Sequence, residues 1–554
     1  MRRLLLVTAA FLALAIAPSA VAAPVFVLTG KGWGHGIGMS QYGAQGYAVH
    51  GRLYDRILAH YYRGTALGSV SATAPVRVVL ASGRSSLTVG ADAPISVTDV
   101  DGKTYALVAG NHAVTPGPSG NVVVANGGTT LTLRGPIWFI TTSTTAPLTL
   151  DGLPYRGKLG VSSSGTAPTV AAVNELGRDN YVRGVLPREM PASWHPEALK
   201  VQAVAARTYA VATGGHCTWS GQGAFCKDTS DQVYGGKSAE TDATNAAVTA
   251  TAGKIVTYGG APAVTFFFST SGGKTATAAD EGWTAKPYLV SVEDPYDSIS
   301  PHHLWGPLDA ELDCPGTSPD CTYTAPQLQT ALGLTELPID VTATRNASSR
   351  VASVRATGAT TTRSIPSSTM RTKLGLRSTW FYVGVLSLEH APGTVVYGSS
   401  SALSGLARRG GTAGWGSTHL QRKRYGETSW TTVADITPLS DGSWSRTAKP
   451  IITTDYRIVS GSATGIARRV YVRTRVRFDP PAYPTLKGSV GPAKSGVSVR
   501  LERKRLDKTW AFVSTKLTNA SGAFAFTVSK RGEYRALADA GVGYLGGSTT
   551  VTVT

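Results

Sequence analysis

The stretch NYVRGVLPREMPASWHPEALKVQAVAARTYAVA (residues 180–212) carries the strongest helical grammar in the chain. Pro196 suits the first turn of a helix, where its missing N–H has no partner to lose, and Glu197 complements the positive end of the helix dipole. Leu199, Ala203, Ala206 and Ala210 follow at helical spacing, and so much alanine predicts that other elements pack closely against this helix. Glu189 stands ahead of it, near Met190 and Trp194. Partial desolvation there raises the pKa of a carboxyl and leaves it a proton to donate.

Working outward, the upstream stretch GWGHGIGMSQYGA (32–44) places glycine at positions 32, 34, 36 and 38 around a single His35. On an extended segment this leaves one face bare, so that another backbone or a sugar ring can lie flat on it. The other face then presents Trp33, His35, Ile37 and Met39. SQYGAQGYAVHG and LYDRILAHYYRG read as two short helices, the first capped by Ser40 and the second stopped by Gly64. From 76 to 170, short β-branched runs alternate with Gly, Asn and Asp turns, which predicts a β-rich segment. Downstream come a second Ala-rich helix over Ser238–Ala252, a hairpin in IVTYGGAPAVTFFFSTSGG, and a short helix and strand in TMRTKLGLRSTWFYVGVL.

Beyond residue 387 the chain is β-like and repeats itself. HLQRKRYGETSW (419–430) matches RLERKRLDKTW (500–510), and DYRIVSG (455–461) matches EYRALADAG (533–541). Two tandem sandwich-like modules, 387–478 and 479–554, account for this. Their Leu-x-Arg-x-Arg strands read either as solvated faces or as binding stripes.

The chain opens MRRLLLVTAAFLALAIAPSAVAA, two arginines followed by an apolar run and small residues. This reads as a secretory signal peptide over 1–22, with a membrane anchor as the competing reading. The formal charge of +19 implies attraction to polyanions. For an exported chain these are anionic wall polymers or membrane surfaces, since no aromatic-interleaved nucleic-acid motif is present. Cys217 and Cys226, and Cys314 and Cys321, form two local pairs, and two short-loop disulfides are expected in an oxidising compartment. At the first pair, His216 makes a metal site the alternative, although structural zinc normally needs four ligands.

These residues also carry a resemblance. VNELGRDNYVRGVLPREMPASWHPEALKVQAVAARTYA (173–210), DTSDQVYGG (228–236), FFFSTSGG (266–273), EGWTAKPYLVSVEDPYD (281–297) and LGLRSTWF (374–381) resemble, in order, the SpoIID/LytB family of bacterial cell-wall proteins. So does GWGHGIGMSQYGAQGYAVHGRLYDRILAHYYRGT (32–65), except that the family has this motif last. The resemblance therefore implies an α+β SpoIID-like core over 23–386, circularly permuted and containing the β-rich segment, followed by the two β modules. Permutation is tolerable where the old termini lie close together on the surface. It predicts that the strand around Val25–Thr29 lies beside Thr379–Val385.

The resemblance further implies a secreted, wall-associated protein acting on peptidoglycan glycan strands without a cofactor. Some members of the family are lytic transglycosylases and others enhance cell-wall amidases. The family's essential acid falls on Glu189. One carboxylate suffices for a lytic transglycosylase, because the sugar's own 6-hydroxyl attacks, whereas a hydrolase needs two. Asp228, Asp231, Asp280 and Glu281 are candidates for a second. The matched motifs make His35, Ser40, Gln41, Arg207, Tyr209, Gln232, Tyr234, Ser269 and Ser271 candidate glycan contacts, with a structural hydrogen-bonding role as the alternative for His35. Some members bind zinc in the loop after ARTYA, where this chain keeps His216, Cys217 and Cys226. The family's histidine within the FxxSxSGG stretch is absent here, where Phe267 and Phe268 stand. Three classes of function are left: a glycan-cleaving enzyme, a non-catalytic glycan-binding enhancer of an amidase, and a wall-attached structural or adhesive protein.

Overall fold

A computed structural model of the chain describes residues 23–164, 168–306, 321–389, 391–408, 417–461 and 463–554. The expected leader (1–22) and Cys314 lie outside these residues. Strands take 44% of the described residues and helices 17%, so sheets frame the molecule. No helix among the described residues is long and apolar enough to cross a membrane.

Val25–Lys31 is almost wholly buried, as a strand covered on both faces must be. It pairs antiparallel with Phe381–Leu386, from Val25 opposite Leu386 to Gly30 opposite Phe381. The strands expected to be neighbours in a reordered chain are neighbours. Phe26 and Leu28 enter a core with Tyr323, Leu328, Val354 and Met370, while Val27 joins Leu386, Leu403 and Trp444 on the other side.

Residues 32–40 then lie along residues 266–272. Trp33 and Thr270 exchange backbone bonds of 2.8 and 3.0 Å, and the Met39 N–H donates to the Phe266 carbonyl. The alternating glycines depart from the expected extended ribbon. All four have positive φ, between +72° and +120°, a region that side chains other than glycine enter only with strain. The bare face is not left for a sugar either, because protein fills it. A Cβ on Gly38 would sit 2.2 Å from the Phe266 carbonyl oxygen, and one on Gly36 2.4 Å from the Arg350 guanidinium carbon. Of the side chains expected to face outward, Ile37 and Met39 are fully buried and Trp33 is 42% exposed.

A buried polar cluster closes this seam. The Ser40 hydroxyl accepts from the Gly43 N–H, capping helix α1 (Gln41–Val49), and donates to Asp297 Oδ1 at 2.6 Å. Asp297 also accepts from the Ser271 and Gly272 amides, both at 2.9 Å, and lies 3.1 Å from His303 Nδ1. Tyr61, the last residue of α2 (Tyr54–Tyr61), donates its hydroxyl to Asp294 Oδ1 at 2.8 Å. Burial, and then the neighbouring Asp297 charge, push the Asp294 carboxyl up to about 7.

Strand Val170–Gly177 leads into α3 (Arg178–Glu189), which ends just after Pro187. The next helix, α4 (Pro196–Thr213), has Pro196 in its first turn and stops at Gly214, whose φ is +73°. Its small residues are buried nearly all round because α1, α2, α3 and α5 (Asp242–Ala250) all pack on it. Helix α5 begins later than expected, since Thr241 caps it through a reciprocal bond with Thr244. The β-rich segment forms two sheets over one core shared with the helices. The hairpin Cys217–Trp219 and Gln222–Cys226 joins one of them, with Phe225 parallel to Val78.

Strand pairing crosses both expected boundaries in the C-terminal third. Phe381–Leu386 pairs with Ser401–Arg408, so one sheet runs across the expected boundary at 386/387. Arg475–Phe478 pairs with Thr485–Gly491 and so belongs to the second module's sheets, not the first's.

Gly38 and Gly51 have nearly the same φ, +79° and +78°, but only Gly38 has a neighbour within reach of a Cβ. Gly51→Ala should therefore lose about 1–2 kcal/mol, the left-handed strain alone. Gly38→Ala should lose about 1–3 kcal/mol more from overpacking, read from urea midpoints. Equal losses would show that the close approach to Phe266 is not tight.

The folded chain holds the Asp294 proton to a higher pH than the unfolded chain does, so stability falls as pH rises from 3.8 towards 7. Asp294→Asn, which keeps the neutral form, should flatten the dependence of the urea midpoint on pH across that range. A decline as steep as in the wild type would count against this assignment.

Candidate active site

Glu189 closes α3 and is half-buried. Its Oε1 accepts from the Val233 N–H at 3.3 Å and its Oε2 from Gln41 Nε2 at 3.4 Å. The same Gln41 amide donates to the Glu189 carbonyl at 3.1 Å. Burial raises the carboxyl pKa above its usual value, while the two donors, Val233 and Gln41, pull it down. The result is a carboxyl held in one orientation and biased towards keeping its proton.

Helix α1 brings Gln41 there. One turn on, Gln45 Oε1 accepts from the His195 N–H at 2.9 Å, and between them Tyr42 meets Trp194 edge-on with ring centroids 4.8 Å apart. Gln41 and Gln45 are four residues apart, so one helix face spans the 189–195 segment. Gln45, Tyr42 and the Val233 amide escaped sequence analysis. The i,i+4 glutamines in SQYGAQ were the signal available for the first.

On the opposite side, residues 227–236 carry the Val233 amide. Asp231 anchors that segment. Its Oδ2 accepts from the His216 and Cys226 amides at 3.0 and 2.7 Å, and its Oδ1 meets His216 Nδ1 at 2.5 Å. Tyr209 also bonds Asp231, and burial raises its hydroxyl pKa to about 12. Gln232 is buried, with its Oε1 accepting from the Tyr181 hydroxyl at 3.0 Å and its Nε2 without a hydrogen-bond partner among the described residues.

Several expected glycan contacts serve the framework instead. Arg207 is fully buried, donating to Asp179 at 2.6 Å and to the Lys254 carbonyl at 3.0 Å. Ser40 and Ser271 are fully buried around Asp297. Tyr234 is buried between Tyr155 and Tyr181 and donates to Asn174. A glycan in solution cannot reach side chains enclosed in this way. Ser269 is half-buried, and its carbonyl accepts from the Ser40 hydroxyl and the Tyr42 amide.

His35 takes the structural role left open for it. Its Nδ1 accepts from the Ile37 N–H at 3.1 Å, so its Nε2 carries the hydrogen and donates to the Phe267 carbonyl at 3.1 Å. Phe266, Phe268 and Trp283 enclose the ring. Burial pushes its pKa down to about 4, which keeps it neutral. Phe267 and Phe268, where the family pattern has a histidine, are thus part of what holds His35.

The metal alternative falls because Cys217 and Cys226 are joined as a disulfide, which removes both thiolates, and His216 is engaged by Asp231. Cys321 is disulfide-bonded, and its expected partner Cys314 lies outside the described residues. The candidate second carboxylates are held elsewhere. Asp228 accepts from Ser230, Asp280 from Ser348, and Glu281 from Thr379 beside Arg350. Among the described residues, none of these bonds to Glu189. A cavity of about 540 Å³ lined by Tyr155, Arg156, Lys158 and Lys237 contains none of the candidate residues. The site is therefore identified by its carboxyl chemistry, not by volume.

Comparison with known proteins falls on this same region. Residues 166–258 match the family described as Stage II sporulation protein (SpoIID). The chain is 36% identical over 156 residues to an amidase enhancer of Bacillus subtilis (strain 168), covering 28% of this chain and 21% of that protein. It is 40% identical over 146 residues to Stage II sporulation protein D of the same organism, covering 24% of this chain and 43% of the relative. Stage II sporulation protein D of Bacillus amyloliquefaciens is 34% identical over 224 residues, covering 38% and 61%. The chain thus spans less than half the length of the first two. The family match holds α3, Glu189, α4, the disulfide hairpin and the Val233 amide, while Gln41 is supplied from outside it. Residues 166–258 thus carry a domain that matches the SpoIID family.

Proposed function

We propose that this protein is exported and cleaves the glycan strands of bacterial peptidoglycan as a lytic transglycosylase, with Glu189 as the acid and then the base. The observation that carries the reading is a single carboxyl, raised in pKa by burial and oriented from two sides by Gln41 and Val233. Tyr42 and Trp194 lie beside it, and aromatic rings suit the apolar faces of sugars.

Glu189 gives its proton to the glycosidic oxygen as the bond to the muramic acid C1 breaks, and the positive charge spreads onto the ring oxygen. The ionised carboxylate then takes the proton of the 6-hydroxyl as that oxygen closes onto C1. The proton count balances, and the product carries a 1,6-anhydro end. One group serves twice, so its pKa must lie near the working pH. The Gln41 and Val233 donors stabilise the ionised form midway, and burial restores the acid. The name of the amidase enhancer relative supports a second reading, in which the same site binds glycan and stimulates an amidase without cleaving.

Glu189→Gln keeps the shape but cannot cycle a proton. It should reduce release of anhydro-ended fragments from purified glycan strands by about 10²–10⁴-fold, read by mass spectrometry, while glycan binding persists. Binding by the wild type without cleavage would favour the enhancer reading. Ordinary reducing ends would point to a hydrolase.

Gln41→Ala removes a donor that lowers the Glu189 pKa. The pH profile of cleavage should shift upward, with activity lost in part. A fall in activity with an unmoved profile would mean that Gln41 acts only in packing.

A further inference from the structure

The positive charge of the chain is concentrated at one end. Residues 387–554 hold 24 of the 53 Lys and Arg but only 10 of the 34 Asp and Glu, a net +14 of the total +19. The family match ends well before them.

The duplicated modules share more than a motif. Arg422, Arg424, Trp430 and Arg457 of the first correspond to Arg503, Arg505, Trp510 and Arg535 of the second. Each Trp ring lies under its Arg, at 4.2 Å in the first module and 4.5 Å in the second. Even the β-bulge recurs. Leu420 faces Ala434 and Gln421 faces Thr432, leaving Val433 extra, while Leu501 faces Ser514 and Glu502 faces Phe512, leaving Val513 extra. A bulge re-aims the side chains beside it. In the second module Phe512 and Val513 both line one cavity of about 420 Å³ with Arg503, Arg505 and Lys530.

That cavity has three cations and no carboxylate in its lining. Arg503 donates to the Arg531 carbonyl, at 2.9 and 3.3 Å, and bonds the Tyr534 hydroxyl beside it, and among the described residues neither Arg505 nor Lys530 is in an ion pair. Asp507, at the turn beside them, accepts from Thr509 through Oδ1 and interacts with Arg505 by charge without a direct ion pair. The first module differs here, since Arg424 closes onto Glu427 at 3.8 Å. The second module is the copy whose cations are left open.

We propose that this cavity binds an anionic polymer of sugar or polyol units linked by phosphates. Arg503 is on the strand Ser498–Lys504 and Arg505 is the first residue past its end, about 7 Å further along the chain, which suits successive charges on one chain better than a single ion. Guanidinium forks match phosphate oxygens, and the apolar floor of Phe512, Val513 and Val528 accepts the hydrocarbon faces between them. Nucleic acid fits less well. Of the two rings in the lining, Tyr534 is buried and Phe512 is shared with Arg500 at 5.1 Å, so no succession of rings is offered for bases to stack on. This binding does not depend on Glu189 or on cleavage, and it would tether the enzyme domain to a charged wall.

The full chain is titrated with fluorescently labelled poly(glycerol phosphate), following anisotropy over a range of salt concentrations. Arg503→Gln/Arg505→Gln/Lys530→Gln should weaken binding at least tenfold and reduce the salt slope by about two to three. The double variant Arg505→Gln/Lys530→Gln, which breaks no internal bond, should show most of that loss. Lys487→Gln/Lys494→Gln/Lys516→Gln removes equal charge from the same module and should change affinity less than twofold. Equal weakening by the two triple variants would reduce the effect to net charge and overturn the site. Single-stranded DNA of matched charge binding as tightly would assign the face to nucleic acid, and failure of the wild type to saturate would end the proposal.

Discussion

Much of the fold depends on one contact, the laying of residues 32–40 against 266–272 around the buried Asp297 carboxylate. Asp297 gathers the Ser40 hydroxyl, two backbone amides and His303, which a carboxylate can do because it offers about four acceptor positions. The backbones approach so closely at Gly36 and Gly38 that only hydrogen fits where a side chain would start. An alternation of glycine that looks like flexibility is therefore a demand for closeness. The segment is immobilised on one side by Phe266 and Phe268 and on the other by Arg350.

From that seam a short series of bonds leads to the chemistry. Asp297 holds Ser40, Ser40 caps α1, and α1 places Gln41 on Glu189 and Gln45 on the His195 amide. Asp231 does the equivalent from the opposite side, fixing the segment that carries the Val233 amide, with the disulfide hairpin and Tyr209 behind it. Two elements far apart in sequence thus grip one carboxyl. Moving the glycine motif from one end of a chain to the other leaves this intact, because Val25–Lys31 and Phe381–Leu386 are paired neighbours whichever is joined to what.

What could be read from sequence was what depends on local chemistry. The Ser40 cap, Pro196 in the first turn, Gly214 as the stop and the β-rich texture before residue 170 all follow from short-range rules. Which polar residues are buried was not legible. Arg207, Ser271 and Tyr234 are polar residue types within motifs rich in functional candidates, yet Asp179, Asp297 and Asn174 reach them only through the tertiary fold. The glycine torsions were hidden for the same reason, since a period of two marks an extended strand until the partner backbone is known. Strand pairing crosses the expected module boundaries because sheets continue by hydrogen bonding, to which composition is blind.

The division of charge bears on the proposed cleavage. A domain with Glu189 biased towards protonation is better placed near a neutral glycan than in a strongly positive field, which would favour the ionised carboxylate and weaken the acid. Residues 1–386 hold 29 basic and 24 acidic residues, a modest net +5, and most of the excess lies in the modules beyond. Arg207 is occupied by Asp179 and Arg350 lies near Glu281, while burial is the main cause of the upward shift at Glu189. Attraction to a polyanion and proton transfer to a sugar ask opposite things of a local potential. If both proposals hold, placing the two in separate parts of the chain lets each be met.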